Sequence, residues 1–129
     1  MAKRPKKRET AQQILARLSE RMFPAALGSA KVTLDSREAD GDSVLHTLLY
    51  GREYYPAKTL IEAGADVNAV GDLGYTPLHV AVWRDHPDAV RLLLDAGADP
   101  KIRCEEGRTP LDIAQSSGLK DIARILSRS

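Results

Sequence analysis

Several groups of residues in this 129-residue chain have types and spacings from which chemistry could be built. His46 and His79 stand 33 positions apart in matching surroundings, Ser43-Val44-Leu45-His46 and Thr76-Pro77-Leu78-His79. Two imidazoles could share a metal ion, but two copies of one slot are better read as structural groups satisfied by hydrogen bonds. Asp42, Ser43 and His46 have the residue types of a nucleophilic triad. They share one turn, however, and no oxyanion donors are implied around the serine. Asp66, Asn68 and Asp72 are calcium-type ligands at a spacing that fails the EF-hand template. Gly71-Asp72-Leu73-Gly74 lacks the Lys-Ser/Thr pair and the preceding strand of a phosphate loop. A single cysteine, Cys104, excludes an internal disulfide and a cysteine-clustered zinc site; it reads as a free thiol in a loop. His86 reads as an exposed loop residue. Since no nucleophile, base or metal set converges on a pocket, the expectation is a protein with no catalytic residues, no cofactor and no metal.

The spacing of the histidines belongs to a larger pattern. Gly74-Tyr75-Thr76-Pro77-Leu78-His79-Val80-Ala81 returns 33 residues later as Gly107-Arg108-Thr109-Pro110-Leu111-Asp112-Ile113-Ala114, and more loosely 33 residues earlier at Gly41, Ser43, Val44, Leu45 and His46. Gly64-Ala65-Asp66 returns as Gly97-Ala98-Asp99. A fixed period with fixed punctuation is the mark of a repeat architecture, in which about three or more units must stack to bury their apolar faces. The chain has room for about four.

The Gly-x-Thr-Pro-Leu-His turn, the Leu92-Leu93-Leu94 run and Gly-Ala-Asp resemble the ankyrin repeat closely. The resemblance implies an all-α solenoid of helix-turn-helix units joined by β-turns, used to bind other proteins. It also implies that Ser43, His46, Thr76 and His79 tie each unit to the next by hydrogen bonds. The units read as 10–42 (degenerate), 43–75, 76–108 and 109–129, after a basic tail at 1–9.

Within the units, apolar periodicity predicts the helices. Ile14, Leu15, Leu18 and Met22 mark one from Thr10 to about Arg21 or Met22, interrupted by Phe23-Pro24, with a second short helix from Pro24 through Leu27. Inner helices are expected from Val44 to Tyr50, Pro77 to Arg84 and Pro110 to Ser117. Outer helices are expected from Tyr54 to Ala63, Pro87 to Ala96 and Lys120 to Ser127. Arg52 and Asp85 stand where the family prefers glycine between helices, a left-handed position that costs a non-glycine residue about 1 kcal/mol. Pro56 falls in the first turn of its helix, where a missing N–H is tolerated. Leu48, bulkier than Ala81 and Ala114 in the same slot, suggests looser packing. Asp112 in the histidine slot and the polar Ser127-Arg128-Ser129 end suit a C-terminal cap.

Hydrophobic content of 43% with 29% charge suits a soluble globular chain, and no apolar run approaches the roughly 20 residues of a membrane span. Lys3, Arg4, Lys6, Lys7 and Arg8 against Glu9 give the first ten residues +4; from a total of +1, the remainder carries −3. The tail is expected to be disordered, and its run resembles a short import signal or nucleic-acid patch. Cytoplasm is the expected address, with the nucleus open if the tail is read as a signal. No signal-peptide core follows it.

By resemblance, a partner meets the turn tips and the exposed side of the inner helices. The period places Ala39, Asp40 and Asp42, then Asp72, Leu73 and Tyr75, then Glu105, Glu106 and Arg108 on the tips. Tyr50, Trp83 and Arg84, with Gly51, Ser116 and Ser117, fall on the helix side. Leu78, Ala81 and Val82 define the buried stripe, and Trp83 lies about 100° off it. Three of the six aromatic residues thus occupy free slots, beside arginines and five acids, the composition of an interface hot spot facing a basic surface. The expected function is protein recognition by a chain monomeric when free, an inhibitor or immunity-type protein that occludes a partner enzyme being the concrete form. The alternatives are a nuclear or scaffold adaptor, or a nucleic-acid-associated accessory using the tail.

Overall fold

The computed structural model describes residues 9–22 and 32–128. Among them are seven α-helices: α1 (Ala11–Met22), α2 (Val44–Tyr50), α3 (Tyr54–Glu62), α4 (Pro77–Trp83), α5 (Pro87–Asp95), α6 (Pro110–Ser116) and α7 (Lys120–Ser127). Among the described residues the only β-type pairing is an isolated bridge between Arg37 and Ser43. Residues 1–8 of the basic tail and the short helix expected from Pro24 lie outside the described residues.

Helices α2, α4 and α6 are seven residues each, too short to persist in water without partners. Their ends are therefore specified locally and their bodies by packing. Ser43, Thr76 and Thr109 cap them through reciprocal bonds with His46, His79 and Asp112 three residues on. Pro77 and Pro110 open two of them at the first helical position, where the missing N–H costs nothing. The helices stack in two rows, α2–α4–α6 and α3–α5–α7, with α2 on α3, α4 on α5 and α6 on α7. The core runs along the space between: Leu45, Leu48, Leu60, Leu78, Ala81, Leu93 and Ala114 are fully buried. Leu78 to Val82 are buried without interruption, because α4 has α2 on one side, α6 on the other and α5 behind.

Helix α1 packs chiefly against α3. Ile14 and Leu18 bury their side chains completely, and Arg17 and Arg21 both reach Glu53 at the α2–α3 turn, each at 2.9 Å. Between the helices of each unit one residue is left-handed: Arg52 at φ 56°, Asp85 at φ 51° and Gly118 at φ 71°. The two non-glycine residues hold the glycine conformation because the next amide closes the helix end, Glu53 N–H to Leu48 C=O and His86 N–H to Ala81 C=O. His86 is half-buried instead of exposed, and it caps α5: its Nδ1 accepts from the Ala89 N–H at 3.2 Å.

Candidate protein-binding face

Three homologous turns precede the inner helices, and each is closed by its own backbone: Glu38 N–H to Asp42 C=O, Gly71 N–H to Tyr75 C=O and Cys104 N–H to Arg108 C=O. They are also bonded to one another. The Asp72 N–H donates to Asp42 Oδ1 at 2.8 Å, and the Glu105 N–H donates to the Leu73 carbonyl at 3.0 Å. Gly71 permits the first contact, since a Cβ there would lie 2.3 Å from Asp42 Oδ1 and 2.9 Å from His46 Nε2.

The histidines fasten this row of turns to the helices. His46 Nδ1 accepts from the Ser43 N–H at 3.1 Å, and His79 Nδ1 accepts from the Thr76 N–H at 3.1 Å. Each ring can then be neutral with its proton on Nε2, donating to the next turn: His46 to the Tyr75 carbonyl at 2.7 Å, His79 to the Arg108 carbonyl at 2.9 Å. Of the two side chains in each capping box, the imidazole is the one that reaches the next unit. The Ser43 and Thr76 hydroxyls bond within their own turn, so the tie expected of them is local. With both ring nitrogens engaged, neither histidine is available to a metal. Asn68 likewise serves structure: its Oδ1 accepts from the Asp99 N–H of the following unit at 2.7 Å.

Burial holds both imidazoles below the ordinary histidine range, His46 and His79 alike. The unfolded chain therefore takes up protons near pH 6.5 that the fold refuses. Stability is complete above that pH and is lost as pH falls from about 6.5 toward the lower folded values. The urea midpoint should fall between pH 7.5 and 5.5, and the fall should flatten in the variant with His46→Gln and His79→Gln. A midpoint constant across that window would contradict neutral buried rings.

On this scaffold the aromatic residues converge. Trp83 is 60% exposed; its ring centroid lies 6.1 Å from Tyr50 in an edge contact and 6.0 Å from Tyr75 in a tilted one. Both tyrosines are half-buried. The Tyr50 phenol is pushed up to about 12, first by burial and then by the charges of Asp42 and Asp72. Beside the rings, Tyr75, His79, Trp83, Arg108, Ile113 and Ser117 line a depression of about 190 Å³. Arg108 is tied back to the Ser116 hydroxyl, and the Arg84 carbonyl receives the Arg52 guanidinium. A larger groove of about 530 Å³ lies between α5 and α7, lined by Arg91, Arg124 and Arg128 against Asp95 and Asp121. Its mixed charge and lack of aromatic residues make it the poorer candidate for a hot spot.

Of the acids expected on the tips, Asp40, Glu105 and Glu106 are exposed and Asp72 is half-buried. Asp42 is not on the surface: it is 5% exposed, because its carboxylate holds the next turn. Glu38 was not expected. It packs beside Asp40 and Asp42, one carboxylate oxygen of each lying within 4.8 Å of the others, and burial first, then those neighbours, raises its carboxyl. It lies one period before Gly71 and Cys104, a slot that carries no common residue type in the sequence.

Leu73 is the other unusual residue of the face, 53% exposed and left-handed at φ 57°. A leucine held there costs about 1–2 kcal/mol, a penalty characteristic of sites kept for contact instead of stability. Leu73→Gly should therefore raise stability by about 0.5–1 kcal/mol in urea titration, after the entropy that glycine adds to the unfolded chain, while weakening partner binding. Lower stability would mean that the side chain packs.

Comparison with known proteins places these features. Residues 60–114, from the end of α3 into α6, match the family model described as ankyrin repeats (many copies). Protein phosphatase 1 regulatory subunit 27 of Mus musculus is 34% identical over 61 residues, which is 47% of this chain and 40% of the relative, so the match spans less than half of either protein. No helix of the described residues is long and apolar enough to cross a membrane. The capped Thr-Pro-Leu helices, the two helical rows and the matched segment together make the described residues an all-α helical repeat solenoid with ankyrin repeats over residues 60–114, a fold that is a protein-interaction module.

Proposed function

We propose that this protein is a non-enzymatic recognition module that binds a partner with a basic surface through the turn tips and the exposed ends of α2 and α4, and acts by occluding that partner. The reading is carried by Trp83, 60% exposed at the end of a helix whose other residues are buried, its ring between two tyrosines and in one depression with Arg108, while the neighbouring turn tips carry Asp40, Asp72 and Leu73. Such a ring gains most by entering a pocket on another molecule. The preformed, hydrogen-bonded turns favour docking with little rearrangement. Occlusion of an enzyme, in the manner of an inhibitor or immunity-type protein, is the concrete form. A regulatory role toward an enzyme is what the name of the murine relative, protein phosphatase 1 regulatory subunit 27, describes for that protein. The cytoplasm is the proposed location, with the chain monomeric when free.

Affinity purification with the native chain, with Trp83→Ala, and with Arg124→Ala plus Arg128→Ala on the α5–α7 groove tests the reading. A partner lost only with the Trp83 variant supports the face; one lost only with the groove variant moves the site there. If the recovered partner is an enzyme whose activity is unchanged at saturation, occlusion fails and recognition stands.

A further inference from the structure

We propose that the partner presents an arginine to this face, its guanidinium laid on the Trp83 indole beside Tyr50 and its charge directed toward Asp40 and Asp72. The inference rests on the recognition reading above and specifies the chemistry of the same face. Neither tyrosine lies parallel to the indole, their planes being inclined by 79° and 42°. With 60% of the residue exposed, a π face is open to a flat cation. Tryptophan is the strongest of the aromatic rings for such a contact, and a guanidinium can stack while its in-plane N–H groups still reach carboxylates, which an ammonium cannot do.

Charge decides which side of the indole the cation takes. Arg108 borders the depression on the Ile113 side and repels it there. On the Tyr50 side, the phenol already feels the charges of Asp42, Asp72 and Asp40. Asp42 is committed to the Asp72 N–H, so its turn holds Asp72 in place; Asp40 Oδ1 accepts from the Asp42 N–H at 2.9 Å, which leaves its second carboxylate oxygen and Asp72 to meet the guest. The partner segment therefore has a direction: arginine over unit two and unit three, and a non-cationic side chain toward Arg108.

Trp83 is the single tryptophan of the chain, so its fluorescence reads the site directly. The full chain is titrated at fixed ionic strength with acetylated, amidated hexapeptides of arginine, lysine or glutamate. Hexa-arginine should change the emission saturably and bind at least about fivefold more tightly than hexa-lysine, with no response to hexa-glutamate. Asp40→Asn alone, and with Asp72→Asn, should each weaken hexa-arginine binding without changing its stoichiometry; Asp40 is exposed, so the single variant remains a test should the double variant melt early. Equal affinity for arginine and lysine peptides, or indifference to both variants, overturns the proposal. A natural partner that still requires Trp83 while hexa-arginine does not bind would leave the recognition reading standing and the arginine proposal refuted.

Discussion

Trp83→Ala should weaken partner binding by at least about 2 kcal/mol, close to thirtyfold in Kd, and move the melting temperature by less than about 2 °C. The two halves of this expectation have separate physical origins. Stability of α4 comes from Leu78, Val80, Ala81 and Val82, all fully buried, and from the cap at Thr76. The indole adds little to either, because most of it faces water. Binding, in contrast, would remove that exposed ring from water and place it in contact on all sides. Adding Tyr75→Ala should deepen the loss, with some cost to the fold, since Tyr75 also lies 5.7 Å from the His79 ring. Titration calorimetry against the recovered partner, with thermal melts of the free variants, separates the effects. A large fall in melting temperature with unchanged affinity would make the ring a core residue.

His79→Ala should produce the largest loss of stability among polar positions, about 2–4 kcal/mol. Alanine leaves the Thr76 N–H without its acceptor and the Arg108 carbonyl without its donor. Each such buried group costs roughly 1–3 kcal/mol, offset where water can enter, and the vacated ring volume adds a cavity contribution. The residue is 1% exposed, which limits that entry. The comparison that isolates the link between units is Asp112→Ala. Asp112 fills the same slot and accepts from the Thr109 N–H at 2.9 Å, which is the main reason its carboxyl is held below the usual range. It is exposed, and no further turn among the described residues receives it. Its removal should cost much less than that of His79, a helix cap alone. Equal losses at the two positions in urea unfolding would show that the bond from His79 to Arg108 contributes nothing.

The same pair of residues shows how far the primary sequence reached. Capping boxes and proline at the first helical position are relations between residues three apart, and helix faces are relations of three and four. Such relations survive without knowledge of the fold, so the six helices of the regular units could be placed within about a residue of their observed ends. The left-handed position of Arg52 and Asp85 came from the resemblance, which puts glycine there; that Arg52 keeps the glycine conformation, at φ 56°, was visible only in the folded chain. Exposure of Trp83 followed from its angle on the helix.

What required the folded chain were contacts between residues about one period apart. Asp42 and Asp72 are ordinary acidic turn residues in the sequence; stacking of the turns puts the carboxylate of one against the amide of the next, taking Asp42 out of water and out of the binding surface. Glu38 joins that cluster only because the turn folds back on itself. The hydroxyls of Ser43 and Thr76 and the rings beside them look equally able to cross between units, yet only Nε2 points toward the next carbonyl. Helix α1 was recognisable as amphipathic, but its place against α3 depends on which apolar surface the first regular unit leaves open. Local spacing fixes helix ends and faces; the partners that those faces meet are set by the stacking of whole units, where distances in space bear no simple relation to distances along the chain.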